Sequence, residues 1–275
     1  MQSRVEQEAA IRHYYNQIVA EEERRLDVYP FEFAITMRFI QHYLAAGAKV
    51  LDVACGTGRY AEALLAAGYH VGASDLADAN VQQTQRRLHA GPSGIRLLFV
   101  RQANALDPSA YDGGPWDGIL LLGPCYHLPA RQDRLAVLQH ARASLTPRGV
   151  LYVSFVSRMA VFWWGLRHWP EGILDAAGVQ MLYQEGRGFN FAPPGEGLPN
   201  SYFCDPDELA SLFQEAGLEV QHVCGTEGVF GGRVARFHEL PAPLRAAWFQ
   251  FTVAHCEAPV FRWTSEHLLV VAQPA

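Results

Sequence analysis

The stretch VLDVACGTGRYAEALLAAG, residues 50–68, places a turn of small residues between two apolar runs. Residues 49–54 form a short apolar run with β-branched valines, which predicts a strand. Residues 59–67 have the Ala, Leu and Glu content and the 3.6-residue spacing of a helix. Because Gly56 and Gly58 carry no Cβ, the chain can turn sharply there and its N–H groups can approach a ligand. The stretch therefore predicts a cradle of nucleotide size.

The composition bounds the kind of partner. The chain has 275 residues, 49% of them apolar, which is enough for a large core in one decorated domain or two small ones. Its 22 basic and 28 acidic residues leave a net charge of −6 with His neutral. Binding to nucleic acid usually requires a basic face. The charge balance therefore disfavours nucleic acid as a partner.

The cysteines and the start of the chain indicate the compartment. The five cysteines are odd in number and form no CxxC pair, which disfavours a disulfide framework or a zinc site. The start MQSRVEQEAAIRHYY lacks the apolar core of a signal peptide, and no apolar run is long enough to span a bilayer. The histidines do not form a metal set. We expect a cytoplasmic protein with neither a membrane partner nor a bound metal.

Strands and helices alternate through the middle of the chain. Strands are predicted at residues 48–54, 70–75, 96–101, 117–123 and 149–155, and helices at 59–67, 78–90 and 130–145. This order implies parallel strands joined by crossover helices. A helix at 206–216 and strands in LEVQHVCG and HLLVVAQ follow. The fold class is therefore α/β, a doubly wound, mostly parallel seven-stranded sheet.

Three segments lie outside this alternation. Residues 1–46 read as an N-terminal helical arm, and residues 158–202 and 225–265 read as insertions in a main domain of residues 47–275. The first insertion holds an aromatic cluster that exceeds what a connector needs, namely Phe162, Trp163, Trp164 and Trp169. We expect the arm and the insertions to cover the carboxyl edge of the sheet as a lid. The acidic run at 21–23 with Arg24 and Arg25 reads as a solvated helix face.

The residues around the glycine turn narrow the ligand. Gly56-x-Gly58-x-x-Ala61 matches the dinucleotide fingerprint, which is weak evidence alone. Asp52, however, lies inside the first strand, where a dinucleotide-binding strand is normally apolar. Asp75 ends the second strand, where a carboxylate accepts hydrogen bonds from ribose hydroxyls. Asn104 follows the third strand, where its side-chain carbonyl is placed to accept from an adenine amino group.

At these residues the chain resembles the class I methyltransferases that use S-adenosylmethionine. VLDVACGTGRYA resembles their first motif, HVGASDL their acidic loop, and RQANALD their adenine-contacting loop. WDGILLLGPCYHL resembles their fourth-strand motif, and ARASLTPRGVLYVSF the helix and turn before the fifth strand. These matches cover residues 48–156 in the family's order. Flanking stretches are similar to bacterial members that act on small molecules. One departure is Asn104, where the family commonly has Asp.

The resemblance implies a role for each matching residue. Backbone at Ala54, Gly56 and Gly58 would approach the amino-acid part of the cofactor, and Asp52 would organise the turn and accept from the cofactor's amino group. Asp75 would bind the ribose of the cofactor. The adenine would be contacted by Leu76, Asn104 and Ala105. Adjacent residues on a helix point apart, so one of Tyr14 and Tyr15 either closes over the sulfonium by cation–π attraction, as we predict for Tyr15, or packs on the core with the other at the surface. Arg59 would pair with the cofactor carboxylate or lie exposed on the helix.

The end of the fourth strand, GPCYHL, is the predicted catalytic position. Methyl transfer is an in-line displacement, so the protein must chiefly align the nucleophile and exclude water. His127 is a candidate general base, or a histidine that satisfies backbone groups in the turn. Tyr126 would shape the pocket. Enzymes that methylate amines in DNA have Asn/Asp-Pro-Pro-Tyr/Phe here, so Gly123 again disfavours a nucleic-acid substrate.

These patterns predict methyl transfer from S-adenosylmethionine to an O, N or S nucleophile of a small molecule. Two alternatives belong to other classes. One is an oxidoreductase of the NAD-binding type, which Asp52 within the strand argues against. The other is a protein that binds S-adenosylmethionine without catalysis.

Overall fold

Seven strands form one sheet in the order β3-β2-β1-β4-β5-β7-β6. This computed structural model describes residues 3–88, 96–187 and 198–275. The strands are β1 (Lys49–Val53), β2 (His70–Asp75), β3 (Leu97–Gln102), β4 (Trp116–Leu121), β5 (Leu145–Val156), β6 (Leu218–Gly225) and β7 (His267–Pro274). Strands β1 to β5 pair in parallel, and β7 lies antiparallel between β5 and β6. The predicted doubly wound, mostly parallel sheet is confirmed.

The first half of the chain has three helices before β1 and three that connect successive strands. Those preceding β5 are α1 (Arg4–Gln17), α2 (Val19–Val28), α3 (Pro30–Tyr43), α4 (Arg59–Ala66), α5 (Asp78–Arg87) and α6 (Arg131–Ser144). Helix α5 ends earlier than predicted, and the final two residues of that prediction, 89–90, lie outside the described residues. Strand β5 begins earlier than predicted because Leu145 already pairs with Trp116 ahead of a register shift in β4.

The second half adds helices to the end of β5 and between β6 and β7. They are α7 (Arg158–His168), α8 (Ala176–Glu185), α9 (Leu209–Glu215), α10 (Val234–His238), α11 (Ala242–Ala254) and α12 (Pro259–Thr264). The predicted helix at 206–216 is a 3₁₀ turn, Pro206–Glu208, followed by α9, with Asp205 accepting from the N–H of Asp207. Of the first predicted insertion, residues 188–197 lie outside the described residues. In the described ranges every helix is too short or too polar to cross a membrane.

Both faces of the sheet are buried at its centre, as the apolar content of β1, β4 and β7 requires, whereas the edge strand β3 is partly exposed. In β1, Val50 faces the core formed with α3 and α4, whereas Leu51 and Val53 face the core formed with α6 and α9. Asp52 lies between two residues of the second core and is only 1% exposed. The alternation of the strand therefore places the carboxylate of Asp52 on the same face as Val50, among the apolar residues of β1.

The N-terminal arm packs on the second insertion. Phe31 of α3 contacts three phenylalanines of residues 225–265, with ring centroids 4.6 Å from Phe237, 5.5 Å from Phe249 and 5.6 Å from Phe230. Arg38 donates to the carbonyl of Val253 over 2.7 Å. Segments far apart in the sequence thus form one continuous layer over the sheet.

Candidate functional site

A cavity opens at the carboxyl ends of β1, β2 and β4 and encloses about 1020 Å³ including its mouth. Ligands of doubly wound sheets bind at this edge. The floor comes from the ends of the strands and the turns after them, and the roof from the arm. The floor includes Asp52, Ala54, Gly56, Asp75, Leu76, Ala105, Tyr126 and His127, and the roof includes Ile11, Tyr15, Glu22, Arg25 and Leu26.

The turn after β1 has the backbone shape that small residues allow. Ala54 and Gly56 have φ values of +62° and +55°, and both line the cavity. A Cβ on Gly56 would meet no protein atom within 4 Å, so the space beside it is open to a ligand. Gly58, at φ +81°, is placed differently, because a Cβ there would lie 2.9 Å from Thr84 and the residue is outside the cavity lining. Gly58 thus permits close packing of α4 on α5.

Asp52 brings a carboxylate to the cavity without a complete set of partners. Its Oδ2 is buried and has no hydrogen-bond partner among the described residues. Burial, and then the charge of Asp75, raise the pKa of Asp52 to about 7. A buried carboxylate in this state favours a cationic hydrogen-bond donor as its partner.

Asp75 holds the glycine turn and lines the cavity. Its Oδ2 accepts from the N–H of Gly56 over 2.8 Å, and its Oδ1 accepts from the N–H of Ala77 at 2.8 Å and from the Asn80 side chain at 3.3 Å. Burial raises the pKa of Asp75 to about 6 against the lowering effect of these donors. In this structure the side-chain hydrogen bond to the turn therefore comes from Asp75, a role that the sequence indicated for Asp52.

Asn104 and Ala105 form the wall beyond β3. The Oδ1 of Asn104 accepts from the N–H of Leu106, and its Nδ2 donates to Glu8 of α1, each over 2.9 Å. Ala105 and Leu76 also line the cavity. The arm is thus attached to the loop that the sequence indicated for adenine.

Tyr15 and His127 meet although they are 112 residues apart. A carbonyl oxygen only accepts, so the Nδ1 of His127 donates to the carbonyl of Pro199 over 3.0 Å. Burial lowers the pKa of His127 to about 4, so the ring is neutral near pH 7. Its Nε2 is then an acceptor, and the Tyr15 hydroxyl donates to it over 2.7 Å. The Tyr126 ring lies beside His127, with centroids 4.8 Å apart.

Helix α2 corrects the interpretation of residues 21–25 as a solvated face. Glu22, Arg25 and Leu26 line the cavity, and Arg25 pairs with the buried Glu32 through both Nη atoms, at 2.7 and 3.0 Å. Their spacing of three and four residues puts them on one side of the helix. The sequence contains this spacing, but the run of charged residues at 21–25 led to the prediction of a solvated face.

The opposite side of α2 is tied to the glycine turn. Arg59 donates to Asp27 over 2.8 Å and to the carbonyl of Glu23 over 2.9 Å. Arg87 pairs with Glu23 and donates to the carbonyl of Thr57. Arg59 lines the cavity while its guanidinium is paired with the arm, and its contact with the cofactor carboxylate stays a prediction.

The described ranges contain no group of three or more His, Cys, Asp or Glu side chains that could hold a metal ion. All five cysteines are buried and unpaired by disulfides.

Fold and site together define a Rossmann-like α/β protein whose cavity beyond a glycine turn is lined by the carboxylates of Asp52 and Asp75. Residues 23–223 match the family model described as a methyltransferase domain, and the chain belongs to that family.

Curated relatives share part of the chain. A ubiquinone biosynthesis O-methyltransferase of Xylella fastidiosa is 33% identical over 181 residues, which are 66% of this chain and 64% of that protein. The protein of the same name from Xanthomonas axonopodis is 29% identical over 182 residues, 66% of each chain. This chain thus spans about 64% of the length of the Xylella relative.

Solved structures support the fold. A putative methyltransferase of Haloferax volcanii, solved in complex with the Trm112 activator, has a TM-score of 0.60 at 14% identity, covering 96% of this chain and 97% of that one. The magnesium protoporphyrin IX methyltransferase of Synechocystis, solved with bound SAH, has a TM-score of 0.56 at 15% identity, covering 97% and 99%. Identities this low concern the fold alone.

Proposed function

We propose that the protein transfers a methyl group from S-adenosylmethionine to an oxygen nucleophile of a small molecule. The observation that carries this proposal is the unpartnered, buried Oδ2 of Asp52 beside the open turn at Gly56. An α-amino group is the cationic donor that such an oxygen favours. When bound, S-adenosylmethionine supplies a methyl group on a sulfonium, which is its own leaving group. Oxygen is preferred among the three nucleophiles because the curated relatives carry the name O-methyltransferase.

The remaining lining fits the other parts of this cofactor. The positive φ of Ala54 and Gly56 opens the backbone to its amino-acid end, and Asp75 keeps acceptor capacity for ribose beside its bonds to Gly56 and Ala77. Leu76 and Ala105 offer apolar contact to adenine, with Asn104 at its edge. Gly58 then supports the site through helix packing.

The acceptor end lies under the arm. Tyr15 is tied to His127 and stands beside Tyr126, so the aromatic rings wall the space where the methyl group is presented. Aromatic faces there attract a sulfonium, and the arm above them excludes water. In-line displacement requires the protein to align the nucleophile with the methyl group and to exclude water.

The two alternatives fit less well. A dinucleotide would bring a pyrophosphate to a turn that already holds Asp52 and Asp75, two carboxylates whose burial opposes further negative charge. A protein that binds without catalysis would not need the closed wall of Tyr15, Tyr126 and His127. A net charge of −6 favours a small-molecule acceptor over nucleic acid, and five unpaired cysteines favour the cytoplasm.

Calorimetry and methyl-transfer assays test this function. We expect S-adenosylmethionine and S-adenosylhomocysteine to bind and to raise the melting temperature, with no response to NADH. Asp75→Ala should weaken cofactor binding by about 1–3 kcal/mol, since ribose hydroxyls and the turn both lose an acceptor. Binding of NADH instead, or cofactor binding without turnover over a broad panel of hydroxyl acceptors, would refute the proposal.

A further inference from the structure

The cavity roof carries a carboxylate that the proposed chemistry has not yet used. Glu22 lies on the inner side of α2, and its side chain is 21% exposed. The outer side of α2 is fixed by Arg59 to Asp27 and by Arg87 to Glu23. The helix therefore holds Glu22 at the cavity. Burial raises the pKa of the Tyr15 and Tyr126 hydroxyls, and the charge of the nearby Glu22 raises the pKa of both further.

The partners of Glu22 leave its charge incompletely compensated. Its one ion-pair partner within the described ranges is Arg25, with Nε and Oε2 3.5 Å apart. Both Nη atoms of Arg25 are already bonded to the two oxygens of Glu32. One guanidinium thus serves two carboxylates, and the more accessible one faces the cavity. Burial raises the pKa of the Glu22 carboxyl, which makes the carboxylate a stronger base.

His127 is less suited to remove a proton from an acceptor. Its Nδ1 donates to Pro199 and its Nε2 accepts from Tyr15, so neither nitrogen is open to the cavity. Burial also holds its pKa at about 4, which disfavours the protonated ring. The bond to the Pro199 carbonyl resembles the alternative left open by the sequence, in which His127 satisfies backbone groups, and the bond from Tyr15 additionally attaches the arm.

We propose that Glu22 is the group that accepts the proton of the acceptor, and that the acceptor is a neutral hydroxyl on an apolar or aromatic framework. The inference rests on the proposed function. In the step, the acceptor oxygen forms a bond to the methyl carbon while the carbon–sulfur bond breaks and its electron pair stays on sulfur. The hydroxyl proton passes to an Oε atom of Glu22.

The walls around Glu22 support this class of acceptor. Leu26, Leu122 and Leu128 contribute apolar surface beside the rings of Tyr15 and Tyr126. Apolar walls with few polar groups suit an aromatic framework. The excess of carboxylate over guanidinium opposes an acceptor that arrives as an anion, such as a carboxylate or a phenolate.

Two phenolic probes test the inference. Catechol keeps its hydroxyl proton at about pH 8, whereas 4-nitrocatechol is ionised there. Glu22→Gln should lower kcat on catechol by about 10²-fold while the Kd of S-adenosylmethionine changes less than about twofold. On 4-nitrocatechol the same variant should lose little turnover, and it should bind this anion more tightly than the wild type in the presence of S-adenosylhomocysteine. A purely structural residue would not reverse the preference between the probes.

Controls keep the outcomes distinct. Glu22→Asp retains a carboxylate and should recover part of the catechol activity, and Glu21→Gln, one residue away and exposed, should behave as the wild type. The inference would be overturned if Glu22→Gln lost equal turnover on both probes, or if its loss of cofactor affinity equalled its loss of turnover. It would also be overturned if His127→Ala showed the full effect and Glu22→Gln none. Failure of both probes to bind the wild type loaded with S-adenosylhomocysteine would overturn it as well. Failure of the wild type to bind S-adenosylmethionine would instead refute the proposed function.

Discussion

Asp52 is a residue whose burial opposes stability and favours ligand binding. A carboxylate in an apolar strand loses hydration, and its Oδ2 recovers no protein donor among the described residues. The pKa of about 7 expresses this cost, since the folded protein retains a proton that the unfolded chain releases near 4. A bound α-amino group would supply the missing donor and charge. Binding of the α-amino group would therefore favour the ionised form of Asp52.

The first prediction concerns Asp52→Asn. Because the folded pKa is raised, the unfolded chain binds fewer protons between about pH 4 and pH 7, so the contribution of Asp52 to stability falls as pH rises through this window. At pH 8 we expect Asp52→Asn to be more stable than the ligand-free wild type, by on the order of 2–4 kcal/mol. The variant should also bind S-adenosylmethionine at least 10-fold more weakly, about 1.4 kcal/mol.

Chemical denaturation at pH 8 and at pH 4 measures this prediction, with calorimetry for the affinity. The stability difference should shrink towards zero at pH 4, where both the acid and the amide are neutral. A wild type that is the more stable protein at pH 8, or unchanged cofactor affinity, would show that Asp52 has another partner.

Helix α2 joins the glycine turn to the roof of the cavity. Its outer residues Glu23 and Asp27 are held by Arg87 and Arg59, while its inner residues face the ligand space. We expect ligand exchange to be easier when α2 moves away from the cavity, and the ion pairs oppose that movement. Each exposed pair contributes only about 0.2–1 kcal/mol, so the effect should be modest and sensitive to salt.

The second prediction follows from these pairs. Arg87→Ala should release α2 and accelerate dissociation of S-adenosylhomocysteine about 2- to 5-fold at low ionic strength, with a smaller effect at high salt. Arg86→Ala, at the exposed neighbouring position, provides the matched control. Stopped-flow measurements of dissociation give the rates. Equal rates for the two variants would mean that α2 is not what retains the ligand.

The sequence predicted the elements whose signals are local. The strand, turn and helix around Gly56 were predicted from periodicity and from the conformational freedom of glycine. The place of Asp75 at the site was predicted from its position at the end of β2. The sequence did not predict contacts between distant segments, such as Tyr15 with His127 or Asn104 with Glu8. The sequence-based prediction was wrong at Glu22 and Arg25. An ion pair on a helix is typical of a solvated face, and the sequence does not show that a neighbouring element such as α3 covers it.

At the scale of the whole molecule, the first insertion packs on the acceptor end. Tyr126 joins an apolar cluster with Ala160, Val161 and Leu182 of this segment, and its carbonyl accepts from the N–H of Tyr202. None of the described residues of 158–202 lines the cavity itself. The lid role expected of this insertion therefore stays a prediction, and it would act through Tyr126.

The third prediction tests that role. S-adenosylmethionine should order Tyr126 and the cluster behind it, so chymotryptic cleavage within residues 158–187 should slow by several-fold on binding. Trp164→Ala, in the partly buried wall of this cluster, should alter the relative kcat/KM of acceptors of different size. Mass spectrometry of timed digests locates the cuts. Cleavage at one rate in both states, together with unaltered acceptor preference, would remove the insertion from the function.

The packing of Phe31 against Phe230, Phe237 and Phe249 also has a consequence for synthesis on the ribosome. The arm is translated well before Phe230, Phe237 and Phe249. Helix α3 therefore cannot pack against these residues until they have been synthesised. During this interval Phe31 and Ile35, both fully buried in the finished protein, stay without their cover. Transiently exposed apolar surface of this kind makes a folding intermediate prone to aggregation. Closure of the cavity beneath the arm therefore follows the synthesis of residues 230–249, and ligand binding reports that this aromatic cluster has formed.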